Sequence, residues 1–396
     1  MHRVEIGRRQ LLRGALSASA VTLVGGASSP AAFTHDHIEG RTGRTAAPSA
    51  LASEIRMSGS KAWIAAPAAP RLSADERRFF ADESPWGFIL FARNVTEASQ
   101  LEDLVAELIE LGGRATTPIF IDQEGGRIQR LKPPLAPQYP PAATIGAVYA
   151  SDPEAGQRAA WLQGRLLADD LMAYGINADC IPCIDVPTAD AHSVIGDRAY
   201  ATNPEAVATL GGAAADGLLA GGLLPVMKHI PGHGRGNADS HLALPVVATT
   251  RGELSRTDFA PFLALRRLPA AMTAHILYSA IDPVRPATLS STVIESVIRE
   301  EIGFDGLLMS DDISMKALAG DLGDLSRRAL EAGCDVVLHC NGDFDEMRKV
   351  AAAARPLSGD AQRRAVEAES AISARGTGGD MPALRAEYDE LVGASV

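Results

Sequence analysis

Three of the chain's nine histidines lie in one glycine-rich segment, KHIPGHGRGNADSHLALP, which runs from Lys228 to Pro245. Because glycine destabilises regular helices and strands, the segment is predicted to be a loop. Imidazole and carboxylate groups can bind a metal ion or transfer protons near neutral pH. The segment is therefore a metal site, an acid/base loop or a polar loop without a chemical role.

The metal hypothesis takes its ligands from His233, Asp239 and His241. A metal centre needs several ligands held at bonding distance, and metal-binding histidines usually lie on rigid elements. This segment contains neither an HxH strand motif nor an HExxH helix motif. A metal-dependent barrel hydrolase is therefore the less favoured alternative.

The acid/base hypothesis centres on Asp239 and His241, whose side chains can meet if the backbone between them bends. A carboxylate beside an imidazole fixes its tautomer and stabilises its protonated form, so His241 is a candidate proton shuttle. His233 is predicted to shape the loop. Lys228 and His229, at the end of the preceding strand, are predicted to hydrogen-bond the substrate.

Around this loop, short apolar segments alternate with amphipathic helical segments from Lys61 onward. The predicted strands cover residues 62–65, 87–91, 118–121, 177–186, 224–228, 270–274, 306–310 and 335–339. Helices are predicted from Ser73, from a cap at Thr96, over residues 152–174 and from Asn203, where proline occupies the first helical position.

Eight buried strands separated by crossover helices predict an α/β fold, a parallel sheet closed into a (β/α)8 TIM-like barrel. A doubly wound open sheet is the alternative, but no glycine-rich phosphate loop with the required spacing follows an early strand. We expect an export signal and linker over residues 1–50, a single catalytic barrel over 51–355 and a C-terminal helical tail over 356–396, packed on the barrel.

Polar residues gather where the predicted strands end, which is where a barrel builds its active site. The residues that follow successive strands include Asp122, Arg130, Arg198, Lys228, His229, His275, Asp311, Asp312 and Asn341. No comparable set of polar residues lies at the amino-terminal ends of the predicted strands.

Asp311 and Asp312 are adjacent at the end of the seventh strand, and side-chain alternation predicts that only one of them points into the barrel mouth. Asp312 is alternatively the N-cap of a helix that begins at Ile313. A carboxylate in the mouth, opposite Asp239 and His241, suits attack on an acetal carbon. The attack would form a glycosyl-enzyme ester while the imidazole protonates the leaving oxygen.

The composition, 46% hydrophobic and 22% charged over 396 residues, is that of a soluble globular protein. A net charge of −12 disfavours nucleic acid and anionic membranes as partners, since both attract Lys and Arg. Cys180 and Cys183 have the spacing of a redox motif, but they lie inside a predicted buried strand. Core cysteines are the favoured interpretation.

The N-terminus combines a basic start, including Arg8 and Arg9, with a short apolar run of small residues. This pattern is typical of a twin-arginine export signal, although a disordered start is an alternative. The run is too short to anchor the chain in a bilayer. We therefore expect a periplasmic or secreted protein without a membrane anchor.

The segments IDQEGGRIQRL, VIGDRAY, KHIPGHGRGNADSH, HILYSAIDPVRPA and GFDGLLMSDDISM, in this order, resemble family 3 glycoside hydrolases. More narrowly, they are similar to the bacterial β-N-acetylhexosaminidase (β-N-acetylglucosaminidase) branch that acts on peptidoglycan fragments. The most specific element is KH-x-PGHG followed by DSH, because this branch uses a His/Asp dyad where its relatives use a glutamate. The resemblance covers roughly residues 60 to 345.

The resemblance implies a retaining exo-β-N-acetylglucosaminidase that needs no metal or organic cofactor. By position it implies that Asp311 is the nucleophile, which directly follows a serine at the strand end, and that His241 is the acid/base with Asp239 as its partner. The residues implied to bind the terminal N-acetylglucosamine are Asp122, Arg130, Arg198, Lys228 and His229. The implied partner is a small carbohydrate, either a glycoside or a muropeptide, and we expect a monomer.

Two departures from the family pattern stand out. Ile230 occupies a position after Lys-His where the family usually has an aromatic residue. Members of this branch commonly work in the cytoplasm, so a cytoplasmic location is the alternative to export. A phosphorylase of the same family and a non-catalytic sugar-binding barrel are the remaining functional alternatives.

Overall fold

The computed structural model describes residues 59–373, 376 and 379–393. Eight parallel strands close into a barrel in which β1 pairs with both β2 and β8. The strands are β1 (Lys61–Ala65), β2 (Pro85–Leu90), β3 (Ile119–Ile121), β4 (Ala178–Asp179), β5 (Leu224–Ile230), β6 (Ala270–Thr273), β7 (Leu307–Asp312) and β8 (Val336–Leu338). The predicted (β/α)8 barrel is confirmed, and the open-sheet alternative is wrong.

The helices surround the barrel and mostly follow the strands. They are α1 (Ala74–Glu83), α2 (Ala98–Gly112), α3 (Ala142–Ser151), α4 (Pro153–Met172), α5 (Pro204–Ala220), α6 (Arg251–Arg256), α7 (Ala260–Ala264), α8 (Ser291–Val293, continuing with π-type bonding over Ile294–Glu301), α9 (Leu322–Ala332), α10 (Phe344–Ala353), α11 (Gly359–Ser370) and α12 (Met381–Gly393). None of these described helices is both long and apolar enough to span a membrane.

Two small two-stranded sheets lie in the loops that follow the barrel strands. Directly after β3, Gln123–Gly125 and Ile128–Gln129 pair antiparallel, and residues 123–129 are called the β3 hairpin below. After β5, residues 231–245 form the histidine loop, which ends in the short strand Val246–Val247. That strand pairs with Leu277–Tyr278, which follows β6.

The caps predicted for two helices are present. Ser73 accepts a hydrogen bond from the main-chain nitrogen of Glu76, whose carboxylate accepts one from the Ser73 nitrogen, as in a capping box. Asn203 accepts main-chain hydrogen bonds at the start of α5 (Pro204–Ala220). In both helices the cap supplies a partner for main-chain N–H groups that the first turn leaves free.

Three predicted boundaries differ from the structure. Helix α2 begins at Ala98 with Glu97 at its N-cap, because Thr96 instead engages the side chain of Gln100. Strand β4 covers Ala178–Asp179 rather than residues 177–186. Pro182 follows within that segment, and a proline has no N–H to donate to a strand ladder.

The third difference concerns the helix predicted to begin at Ile313 with Asp312 as its N-cap. The next helix is α9, which begins at Leu322 and takes Asp321 as its N-cap. Asp312 instead belongs to β7 and accepts hydrogen bonds from both the nitrogen and the hydroxyl of Ser314. It closes a local turn, so the chain does not enter a helix there.

Candidate active site

A cavity of about 220 Å³ opens at the carboxyl ends of the barrel strands. It is smaller than the usual range for drug-sized ligands, so it suits a ligand the size of one sugar ring. The predicted site residues that line it are Asp122, Arg130, Arg198, Lys228, His229, His241 and Asp311. Asp239, the remaining predicted site residue, reaches the cavity through His241.

One wall of the cavity carries a group of paired charges, called the charge cluster below: Asp122, Glu124, Arg130, Arg198 and Lys228. At its centre, the Lys228 ammonium lies 2.9 Å from Asp122 Oδ1 and 2.7 Å from Glu124 Oε1. Arg130 donates to the other oxygen of Asp122 at 3.0 Å. Arg198 donates to both oxygens of Glu124 at 2.8 Å.

The pairing in the charge cluster keeps its members ionised. Burial alone would raise the pKa of Asp122, but the charges of Lys228 and Arg130 outweigh it and hold this pKa well below its ordinary value. The charges of Arg198 and Lys228 likewise outweigh burial and lower the pKa of Glu124. Such fixed, desolvated charges can orient the hydroxyl groups of a neutral sugar.

Asp179, at the end of β4, behaves in the opposite way. Burial raises its pKa to about 8, and the carboxylates of Asp122 and Glu124 add to this effect, which outweighs the hydrogen bond from the main-chain nitrogen of Gln123 and the charge of Lys228. Its second carboxylate oxygen is buried without a described partner. Asp179 is therefore a neutral acid at pH 7 and supports the β3 hairpin from below.

Asp185 lies beside His229 and is fully buried. Its carboxylate is 2.7 Å from His229 Nδ1 and accepts from the main-chain nitrogens of His229 and His233. Burial would raise the pKa of Asp185, but the two imidazoles and these hydrogen bonds lower it. Because Nδ1 is engaged, His229 presents Nε2 to the cavity.

The histidine loop brings Asp239 and His241 together as the spacing predicts. His241 Nδ1 lies 2.8 Å from Asp239 Oδ1, and the same oxygen accepts from the His241 main-chain nitrogen at 2.9 Å. The His241 side chain is 65% exposed. An exposed imidazole that is held by a carboxylate can exchange a proton with solvent and pass it into the cavity.

The loop is anchored at Ser240, the residue between Asp239 and His241. His233 is buried, and its Nε2 lies 3.2 Å from the hydroxyl of Ser240. Burial lowers the pKa of His233 to about 4, so this imidazole is neutral at pH 7. The Ser240 carbonyl accepts from the nitrogen of Ala317, which follows β7, so the loop is tied to the neighbouring strand end.

Gly234 shows why the loop needs glycine. A Cβ atom at this position would lie 2.0 Å from the carbonyl oxygen of Val186, which is main chain and cannot move aside cheaply. Any larger residue would push the histidine loop away from the segment after β4. The glycines of the loop therefore permit close approach of two backbones.

Asp311 and Asp312 both line the cavity. That only one of the two side chains points into the barrel mouth stays a prediction. The pairing register between β7 and β8 shifts between Met309 and Asp312, and strict alternation fails at such an irregularity. The two carboxylates are nevertheless different. Asp312 is held by Ser314 and by the main-chain nitrogen of Cys340, and burial raises its pKa.

Asp311 accepts one described hydrogen bond, from the main-chain nitrogen of Asp312 at 2.8 Å. Burial would raise its pKa, but the imidazoles of His275 and His229 help to lower it. An ionised carboxylate in the cavity, with few competing donors, is the better nucleophile of the two. His275 itself is buried between Thr288 and the carbonyl of Asp312, so it supports this strand end.

Two contributors to the site were not singled out by sequence reasoning. Glu124 lies in the rim segment after β3, but its position gave no sign that it pairs with both Arg198 and Lys228. Asp185 was hidden in an apolar segment that was interpreted as a plain strand. A lone carboxylate inside such a segment is the signal that could have found it, because a buried charge needs partners.

The structure bears on both the cysteines and the proposed metal ligands. The thiols of Cys180 and Cys183 are free and buried, and burial raises the pKa of both, as suits core residues. Within the described part of the chain, Cys183, Asp185 and His229 present potential metal ligands within 4.8 Å of one another. Of the metal ligands proposed from the sequence, Asp239 and His241 contact each other, whereas His233 contacts Ser240, and the three do not form such a group among the described residues.

Residues 52–370 match the N-terminal domain of glycosyl hydrolase family 3. The chain belongs to this family. The beta-hexosaminidase of Methylococcus capsulatus is 42% identical over 276 residues, which is 69% of this chain and 80% of that protein. The beta-hexosaminidase of Neisseria meningitidis serogroup C is 39% identical over 292 residues, covering 71% and 79%.

Solved structures of family 3 proteins share the fold. NagZ from Neisseria gonorrhoeae in complex with N-trifluoroacetyl-D-glucosamine is 33% identical with a TM-score of 0.75, covering 85% of this chain and 98% of that one. A family 3 beta-N-acetylglucosaminidase from a Paenibacillus strain is 30% identical with a TM-score of 0.73, covering 86% and 67%. This family 3 member is a glycoside hydrolase.

Proposed function

We propose that the protein is a retaining exo-β-N-acetylglucosaminidase that removes terminal non-reducing N-acetylglucosamine from glycosides. The observation that carries the proposal is the convergence of Asp311 and the Asp239–His241 pair with the charge cluster on one small cavity. An amino-sugar substrate is supported by the similar proteins. They include a beta-hexosaminidase, a beta-N-acetylglucosaminidase and a NagZ bound to N-trifluoroacetyl-D-glucosamine.

In the first step, a carboxylate oxygen of Asp311 forms a bond to the anomeric carbon while the bond from that carbon to the aglycone oxygen breaks. His241 donates its proton to the departing oxygen. In the second step, water attacks the anomeric carbon and gives its proton to His241 as the ester to Asp311 breaks. Two inversions restore the starting configuration.

The charge cluster would bind the sugar while these steps proceed. Asp122 and Glu124 accept hydrogen bonds from hydroxyl groups, while Arg130, Arg198 and Lys228 keep the carboxylates ionised and donate hydrogen bonds. His229 Nε2 supplies a further hydrogen bond. A closed wall of this kind accommodates the end of a glycan, which supports an exo-acting enzyme.

Proton NMR of the first product from an aryl β-N-acetylglucosaminide tests the scheme. We expect the β-anomer of N-acetylglucosamine to form first, whereas an initial α-anomer would overturn retention. The same assay with added phosphate separates hydrolase from phosphorylase, because a large rate gain with formation of the sugar 1-phosphate would identify a phosphorylase. Binding of N-acetylglucosamine without turnover would identify a non-catalytic barrel.

Substitution of Asp311 by Ala tests the nucleophile. We expect activity to fall by several orders of magnitude with a far-UV circular dichroism spectrum like that of the wild type, because the ester can no longer form. The matched variant Asp312→Asn removes the neighbouring carboxylate. Full activity of Asp311→Ala together with inactivity of Asp312→Asn would move the nucleophile to Asp312.

We further propose that the substrates are peptidoglycan fragments and that the twin-arginine-like segment directs export. Arg8, Arg9 and the rest of that segment lie outside the described residues, so its sequence pattern alone supports this part. Cell fractionation followed by immunoblotting tests it. Protein found in the cytoplasm alone would favour the alternative location.

A further inference from the structure

The C-terminal helix α12 (Met381–Gly393) lies beyond the family match, which ends at residue 370. It packs against α4 (Pro153–Met172), the long helix that precedes β4. Most of its side chains are at least partly exposed, but Tyr388 is buried. The contacts of this tyrosine run toward the active site.

Tyr388 begins a chain of two hydrogen bonds. Its hydroxyl donates to Gln163 Oε1 at 3.0 Å, and Gln163 Nε2 donates to the main-chain oxygen of Glu124 at 3.1 Å. All three residues are buried. Burial raises the pKa of Tyr388 well above its ordinary value, so the hydroxyl remains a donor at neutral pH.

A second set of contacts joins α12 to the same part of the barrel. Arg385 donates to the hydroxyl of Tyr139 at 2.7 Å. The carbonyl of Tyr139 accepts from the Gly126 nitrogen at 2.8 Å, and its nitrogen donates to the Gln129 side chain at 3.0 Å. The helix therefore supports the β3 hairpin, residues 123–129, at more than one point.

We infer that α12 is a positioning element for sugar binding. Through Tyr388 and Gln163 it fixes the backbone at Glu124, whose carboxylate holds Arg198 and Lys228 in the cavity wall. The inference rests on the proposed function, in which this wall binds the sugar. Tyr388 acts through Gln163 and does not touch the reacting atoms.

The inference makes a specific kinetic prediction. A loosened wall weakens binding of the sugar in the ground state and the transition state alike, which raises KM and leaves kcat nearly unchanged. A purely structural role of α12 would instead reduce the fraction of folded enzyme, which lowers the apparent kcat at constant KM.

The experiment uses the full chain with Tyr388→Phe and Gln163→Glu, and Glu387→Gln as matched control. Phenylalanine removes only the hydroxyl, while glutamate keeps the acceptor for Tyr388 but loses the amide donor to Glu124. The control alters Glu387, which lies on α12 beside Tyr388 and forms a partly exposed ion pair with Arg158 of α4. We expect KM for an aryl N-acetylglucosaminide to rise about 3-fold to 10-fold in both test variants and to stay constant in the control.

The double variant with both test substitutions sharpens the result. If the two residues act in one chain, Tyr388→Phe adds no further rise in KM once Gln163→Glu has cut the link to Glu124. Titration calorimetry with N-acetylglucosamine should show the same pattern in Kd. A full multiplicative effect in the double variant would mean that Tyr388 acts by another route.

The outcomes separate this inference from the proposed function. If the wild type turns over the glycoside but Tyr388→Phe and Gln163→Glu keep its KM and Kd, the positioning role is wrong and the enzyme assignment stands. If the wild type binds the sugar without turnover, the enzyme assignment fails and the Kd values still decide the positioning role. If the wild type neither binds nor cleaves it, both are overturned.

Discussion

The charge cluster and the histidine loop line the same cavity, yet the Lys228 side chain is 2% exposed whereas that of His241 is 65% exposed. In the charge cluster, neighbouring cations keep each carboxylate ionised in spite of its burial. In the histidine loop, one carboxylate holds one imidazole, and solvent can reach the ring. A group that binds substrate gains from fixed charge, whereas a group that carries protons must gain and lose its own.

The two regions also differ in how they are held. The charge cluster lies at the ends of β3 and β5 and on the loop after β4, close to the barrel strands. The histidine loop is held at Asp185, through Ser240 and by close backbone contact at Gly234. The charge cluster is therefore held by the barrel strands and the segments next to them, whereas His241 lies on a loop that depends on its own contacts.

The largest expected effect comes from the histidine loop, in the variant His241→Ala. We expect kcat/KM to fall about 100-fold to 10,000-fold for substrates with poor leaving groups, because these need a proton from the enzyme. Activated aryl glycosides should lose far less. A series of aryl N-acetylglucosaminides with different leaving-group pKa values measures this, and equal losses across the series would count against the shuttle.

The charge cluster should show its importance in stability. Lys228→Met leaves Asp122 and Glu124 without their shared cation, and breaking a buried ion pair of this kind costs about 3 kcal/mol or more of unfolding free energy. The matched variant Arg127→Ala breaks an exposed pair with Asp197 and should change it by less than about 1 kcal/mol. Urea unfolding at neutral pH compares them, and similar losses in both would contradict the difference in burial.

Asp179→Asn probes the neutral carboxyl group at the end of β4, which accepts a hydrogen bond from the β3 hairpin. Because the folded-state pKa of Asp179 is raised to about 8 from 3.8, the folded protein keeps a proton that the unfolded chain has lost between these pH values. Stability therefore falls as pH rises through this window, and it is fully retained below pH 3.8. Asparagine cannot ionise, so the variant should gain melting temperature relative to wild type as pH rises toward 8. A constant difference across the range would show that Asp179 is ionised in the folded protein.

Ser240→Ala should give the smallest effect. It removes the hydroxyl that His233 contacts but leaves the Asp239–His241 pair intact. We expect kcat for a poor leaving group to fall about 2-fold to 10-fold, as for the loss of one neutral hydrogen bond, with KM unchanged. Steady-state kinetics measures it, and a rise in KM alone would place Ser240 in binding rather than in loop support.

Much of the fold could be predicted because its signals are local. Each barrel strand is a short apolar run, and the caps at Ser73 and Asn203 follow from side chains that reach their own helix start. The order of strands and crossover helices then leaves few closed arrangements. The predicted boundaries that differ from the structure lie at Thr96, in the segment of β4 and after Asp312. In these places side-chain contacts or a proline override the apolar pattern.

For the site, the sequence alone determined which residue types stand at the strand ends and that Asp239 and His241 are close enough along the chain to pair. Only the tertiary structure decided that Glu124 joins Lys228 with Arg198, that Asp185 holds the histidine loop and that Asp312 is held by Ser314 while Asp311 is not. The physical reason is range. Turn and cap contacts depend on neighbours in sequence, whereas ion pairing and desolvation depend on distances through space between segments that the barrel brings together.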